Sequence, residues 1–230
     1  MDDITAFYQK QLIDFYSPHF KSPDDLTDFL SDAFDYENGS ITKRQMLYQV
    51  QRFVSLANNI EIISPNSDGL KILFLRICLE SLQSLSNCDK KSFFQTFGDY
   101  FSIEGKDYIL NHFKLAFIEI EYRGRPLTLY HDNITLPDFL WIIKVIRDSI
   151  VHDGKHWSML FFARDEDSIW LTSMETGEEM NKVIEPYKLH LTGNKMIEYH
   201  FETTLNYEKF IYYFVEACIN FICKKAQNDL

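Results

Sequence analysis

Apolar side chains recur at helical spacing through most of the first 152 residues. Phe7, Tyr8, Leu12 and Phe15 mark a first helix that Ser17-Pro18 stops. A second is expected from about Pro23 to Phe34, where aspartates in the first turn suit the positive end of a helix dipole. Asn38-Gly39 breaks the chain, and a longer helix then aligns Met46, Leu47, Val50, Phe53, Val54, Ala57 and Ile60 on one face. The turn Ser64-Pro65-Asn66-Ser67-Asp68 opens a helix through Leu70, Leu73, Phe74, Ile77, Leu82 and Leu85. That stretch is apolar around much of its circumference, which places it centrally. A shorter helix over 89–100 and another from Tyr108 to Tyr122 follow, the latter ended by Arg123-Gly124-Arg125-Pro126. Thr135-Leu136-Pro137-Asp138 reads as a capping box with an early proline, starting a helix that runs to about His152 before Gly154.

Beyond Gly154 the period changes. Trp157–Ala163, Ser168–Thr172, Tyr187–Leu191 and Met196–Phe201 are short, aromatic and β-favouring, and turn sequences separate them. They predict a small antiparallel sheet over about 157–203. Helical spacing returns from Asn206 to Gln227. The expected fold is mainly α: a helical bundle with a small antiparallel β insertion before the last helix. Its expected organisation is an acidic helical arm (1–38) and a bundle (39–230), the latter containing the β-rich insertion (157–203) and a C-terminal helix (205–227).

Composition narrows the function. With 46% hydrophobic and 16% aromatic residues among 230, the chain has enough burial to offset chain entropy, so extended disorder is excluded. The formal charge is −11, which argues against coating nucleic acid or an anionic membrane with the whole surface. Residues 1–38 hold nine carboxylates against Lys10 and Lys21, leaving the remainder only mildly acidic and open to a local basic site. Cys78, Cys88, Cys218 and Cys223 form no Cys-x-x-Cys pair and read as free thiols of a reducing compartment. The acidic start Met1-Asp2-Asp3-Ile4 lacks an apolar signal core, and the most apolar window, Phe210 to Ile222, is too short to span a bilayer. A cytoplasmic protein without membrane contact is expected.

One constellation carries chemistry. An apolar helix ends in Arg147-Asp148-Ser149-Ile150-Val151-His152, followed by Asp153-Gly154. Asp148 and His152, four apart, share a helix face, where the carboxylate would orient the imidazole. Arg147 and His152 are splayed by roughly 140° on an ideal helix. A two-fold dimer bringing two copies of the pair together would relieve that splay. Lys144, Lys155 and His156 lie close enough in sequence to hold flanking phosphates. A purely structural alternative pairs Arg147 with Asp148 or Glu80 and leaves His152 at the helix C-terminus, where a cation suits the dipole.

Arg147, the polar Asp148 after it, four intervening residues, His152 and Gly154 together resemble the defining motif of the HEPN superfamily (higher eukaryote and prokaryote nucleotide-binding domains). The segment LFLRICLESLQSL resembles the apolar-then-acidic helix common in such bundles. Arg125 and His131 also fall at a permitted spacing, but Pro126 breaks the helix that the motif requires.

The resemblance implies a helical bundle, a homodimer and a metal-independent ribonuclease, with attack of a ribose 2′-hydroxyl on the adjacent phosphorus. His152 would be general acid or base, Arg147 would stabilise the phosphorane oxygens, and Asp148 would orient His152. It also implies a toxin or antiphage-defence setting, with RNA as substrate, no DNA and an antitoxin or other protein as a possible partner. The competing class is a non-catalytic module of the same fold that binds a nucleotide or a protein, or that dimerises.

Other chemistries lack their anchors. No cofactor or metal is expected: Gly154 breaks the helix that would align His152 with His156, and His190 and His200 read as ordinary sheet residues. No glycine-rich phosphate loop and no Gly-x-Ser-x-Gly elbow is present.

Overall fold

The structure is a computed structural model and describes residues 3–35, 39–64, 67–89, 93–94, 96–122, 125–130, 134–152, 160–164, 169–176 and 197–228. In chain order these form α1 (Asp3–Tyr16), α2 (Pro23–Phe34), α3 (Ile41–Ile63), α4 (Asp68–Leu85), α5 (Ile103–His112), β1 (Phe113–Tyr122), β2 (Arg125–Leu129), α6 (Leu136–His152), β3 (Trp170–Thr176), β4 (Ile197–Thr203) and α7 (Tyr207–Asn228). Short 3-10 turns cover Ser17–His19 and Phe97–Tyr100. The architecture is mainly α-helical, with a small antiparallel sheet whose strand β4 leads into the last helix.

Local signals start the helices. Ser22, Ser40 and Ser102 each accept a hydrogen bond from a backbone N–H three residues on, satisfying a donor that the helix itself leaves open. At α6 the box is reciprocal: the Thr135 hydroxyl accepts from Asp138 N, and the Asp138 carboxylate accepts from Thr135 N at 2.8 Å. Packing then selects the buried faces. Helix α4 lies against both α3 and α6, and Leu75, Cys78, Leu79 and Leu82 enter the core alongside Val50 and Val54 of α3 and Ile143 and Ile146 of α6.

The acidic arm belongs to that same core. Leu12, Tyr16, Leu26, Phe29, Leu30 and Ala33 from α1 and α2 are buried in it, and the Tyr16 hydroxyl donates to Leu47 O at 2.9 Å. Asp24, Asp25 and Asp28 of α2 face out while its apolar stripe faces in, so the high charge density of the arm does not detach it from the bundle.

The sheet departs from expectation. Residues 113–122, expected to continue a helix from Tyr108, form strand β1, and α5 ends at His112. The strand order is β2-β1-β4-β3, all neighbours antiparallel, so the sheet takes its first hairpin from ahead of α6 and is wider than an insertion over 157–203. The physical reason is a period-two pattern broken by a bulge. Phe113 and Leu115 face the core, the register slips between Leu115 and Phe117, and Ile118 and Ile120 then take over the core face. That slip of one residue makes the apolar positions mimic helical spacing when read along the chain.

Expected strands at Ser168–Thr172 and Met196–Phe201 correspond to β3 and β4, each displaced by a few residues. The described part of Trp157–Ala163 makes only an isolated bridge, Ala163 to Asn206, and Tyr187–Leu191 lies outside the described residues. Within 89–100, Phe97–Tyr100 is a 3-10 turn rather than α-helix.

The core face of the sheet packs on α6 and on residues 160–164 through an aromatic cluster: the Phe113 ring lies 4.9–5.2 Å from those of Phe139, Phe161 and Phe201. Residues 160–164 are anchored by Asp68. This wholly buried carboxylate at the start of α4 accepts from Phe161 N at 2.9 Å and Phe162 N at 3.0 Å. All four cysteines are free, and burial pushes the Cys218 thiol pKa well up, aided by the neighbouring Cys78.

Candidate functional site

Helix α6 presents Leu136, Phe139, Leu140, Ile142, Ile143 and Ile146 to the core. The next position, Arg147, therefore sits at the margin where α6 meets α4, with its side chain 22% exposed. Its guanidinium donates to Glu80 of α4 at 3.0 Å and to its own neighbour Asp148 at 2.7 Å. The second Asp148 oxygen faces Lys144 Nζ at 3.0 Å. Glu80 also faces Arg76 one helical turn back at 3.4 Å. Arg76 is buried, with its guanidinium 3.4 Å from the centre of the Phe94 ring. The result is a ladder of alternating charge, Arg76–Glu80–Arg147–Asp148–Lys144, three cations against two carboxylates.

The environment sets the charge states. Partial burial works to lower the Arg147 pKa, but Asp148 and Glu80 outweigh it and the value is raised. Burial works to raise the Asp148 pKa, but Lys144 and Arg147 hold it below the ordinary carboxylate value. Arg76 is pulled down by burial, with Glu80 opposing. Arg147 and Asp148 are thus both held in their charged forms. The Arg147 Nε is buried without a hydrogen-bond partner among the described residues.

His152 occupies the last position of α6 and is exposed, with no hydrogen bond or ion pair to any described residue. The structure brings Arg147, Asp148 and Lys144 together and leaves His152 outside that network. Both Asp148 oxygens serve cations, so this carboxylate orients Arg147 rather than the imidazole. Lys155 and His156 lie outside the described residues. An open cleft of about 370 Å³, lined by Gln49, Ile77, Glu80, Ser81, Ser84 and Leu85, runs beside the ladder on the α4 side.

The Arg147–Asp148 pair was readable from adjacency and Glu80 from the acidic position in its helix. Arg76 was not, because its part depends on an aromatic ring from another segment. Sequence reasoning also missed Glu119, Glu198 and His200, which converge on the outer face of the sheet and form the one candidate set of metal-ligating side chains among the described residues. The spacing Glu198-x-His200 was the available signal, since alternate residues of a strand share a face. No helix among the described residues is long and apolar enough to cross a membrane. Comparisons with protein-family models, with curated proteins and with solved structures give no match to this chain.

Proposed function

We propose that the chain is a HEPN-type, metal-independent endoribonuclease acting as a homodimer, in the role of a toxin or defence effector. The observation that carries this reading is the end of α6. There a guanidinium is held in place by carboxylates from two helices, and an imidazole with no partner among the described residues lies at the exposed terminus one turn beyond Asp148. On this reading the ribose 2′-hydroxyl gives its proton to His152 as its oxygen bonds to phosphorus. The bond to the 5′-oxygen then breaks, and that oxygen takes a proton from the same residue of the second protomer. Arg147 exchanges a carboxylate partner for a phosphate oxygen and stabilises the charge that develops on it. Dependence on the 2′-hydroxyl restricts the substrate to RNA.

The test is cleavage of a mixed RNA pool with EDTA present. Wild type is expected to cut, and His152→Ala to lose about 100-fold or more, the usual contribution of a positioned acid or base. Cleavage by His152→Ala equal to wild type, or none by wild type, overturns the proposal. A specific observation favours a second reading, a non-catalytic module that binds a nucleotide or a protein. His152 has no carboxylate partner among the described residues, and Arg147 is already engaged by Glu80 and Asp148. RNA binding by wild type without cleavage decides for it.

A further inference from the structure

The outer face of the sheet carries a set of side chains that the Arg147 site does not use. The register places Glu119 of β1 directly opposite Glu198 of β4, and Phe117 opposite His200. Alternation puts all four on the face turned away from the core, because their neighbours Ile118, Tyr199 and Phe201 are buried. The His200 ring stacks on Phe117 at 4.2 Å and 18°, which fixes its plane. Its Nε2 lies between both carboxylates, 3.4 Å from Glu119 Oε2 and 3.5 Å from Glu198 Oε1.

Two features of this arrangement are unfavourable if nothing joins the three groups. Like charges directly across an antiparallel pair repel, and no lysine or arginine among the described residues pairs with either glutamate. The His200 side chain is only 12% exposed, and its Nε2 is buried without a hydrogen bond, although two acceptors stand within 3.5 Å. A buried nitrogen so placed, with no aligned hydrogen-bond partner, is costly. The two nitrogen-to-oxygen distances are those between metal ligands, and all three ligand atoms lie within 4.8 Å of one another. With bonds of about 2.0–2.1 Å to nitrogen and oxygen, a tetrahedral zinc ion holds its ligand atoms about 3.3–3.4 Å apart.

We propose that Glu119, Glu198 and His200 form a site for a divalent first-row transition metal, with Zn²⁺ the ion whose dimensions they match. Two carboxylates balance the charge of the ion, and the imidazole selects it over Mg²⁺ and Ca²⁺, which prefer all-oxygen surroundings. The glutamates, 46% and 37% exposed, leave the ion's outer side to solvent, so the fourth position takes water or a partner's ligand. Bound there, the ion clips the two central strands together. This site shares no residue with the proposed nuclease and does not depend on it.

The experiment is calorimetric titration of ZnCl₂ into the metal-stripped full-length protein, with Co²⁺ absorption as a second readout of tetrahedral coordination. One zinc per chain is expected, together with a tetrahedral cobalt spectrum. His200→Ala and Glu119→Gln are each expected to weaken binding by more than the roughly 10–100-fold that loss of an outer-shell partner costs. Circular dichroism shows whether each variant is folded, and Glu198→Gln serves where one is not. No stoichiometric zinc binding by wild type, or affinity and cobalt spectrum unchanged in folded variants, overturns the assignment.

Discussion

Replacing Asp68 with alanine removes the anchor that ties residues 160–164 to the start of α4, and the structure sets the size of the effect. The carboxylate is wholly buried and makes two hydrogen bonds to backbone N–H groups, at 2.9 and 3.0 Å. Its other oxygen lies 3.4 Å from Lys71 Nζ and 3.6 Å from Arg164. Truncation takes from Phe161 N–H and Phe162 N–H their shared acceptor, at about 1–3 kcal/mol for each donor left unsatisfied. It also takes one counter-charge from Lys71, whose side chain is 5% exposed and which keeps Glu61 at 2.6 Å. These losses share one group and do not add, so about 3–5 kcal/mol is expected, the range for breaking a buried pair. That is a large part of a typical total of about 5–15 kcal/mol.

Urea unfolding followed by tryptophan fluorescence reads the loss. With a slope near about 2 kcal/mol per molar, the midpoint should fall by roughly 1.5–2.5 M. Asp68→Asn keeps an acceptor oxygen for the two N–H groups but drops the charge, so it should fall between wild type and alanine. A loss under about 1 kcal/mol in Asp68→Ala would refute the anchoring argument.

Two further outcomes follow from the same structure. Burial pushes the His19 pKa down from the ordinary 6.5 to about 4, in a site where the ring stacks on Tyr212 at 4.7 Å. Between those values the unfolded chain binds the extra proton and the folded one does not, so His19's contribution to stability is full above the upper value and lost as pH falls through the window. The urea midpoint measured across that window should decline less steeply in His19→Phe; equal slopes count against the burial argument. At the start of α6, Thr135→Ala should cost about 1 kcal/mol and Thr135→Asn far less, since asparagine caps as well as threonine does. Equal losses in a thermal melt would show that the hydrogen bonds between Thr135 and Asp138 contribute nothing to stability.

The long helices were legible because their evidence is local. Met46, Leu47, Val50 and Val54 repeat at the helical period, and Thr135 with Asp138 announces the start of α6 within four residues. The Arg147–Asp148 pair needs nothing beyond adjacency. Strand β1 was not legible, because the bulge between Leu115 and Phe117 shifts the alternation by one residue and lets the apolar positions pass for a helix. Pairing rewards the extended form, with β2 close by and above all with β4, far along the chain, which sets the buried Ile118 opposite the buried Tyr199.

The same distinction runs through the chemistry. Helical periodicity and capping, which act over a few residues, determined from sequence that Arg147 and His152 close an apolar helix. Tertiary structure alone decided that Arg147 is also held by Glu80, because packing α6 on α4 brings in that carboxylate from 67 residues away and completes a charge ladder. It also decided that His200 faces two glutamates, since register between strands distant in sequence is set by which residues the core buries.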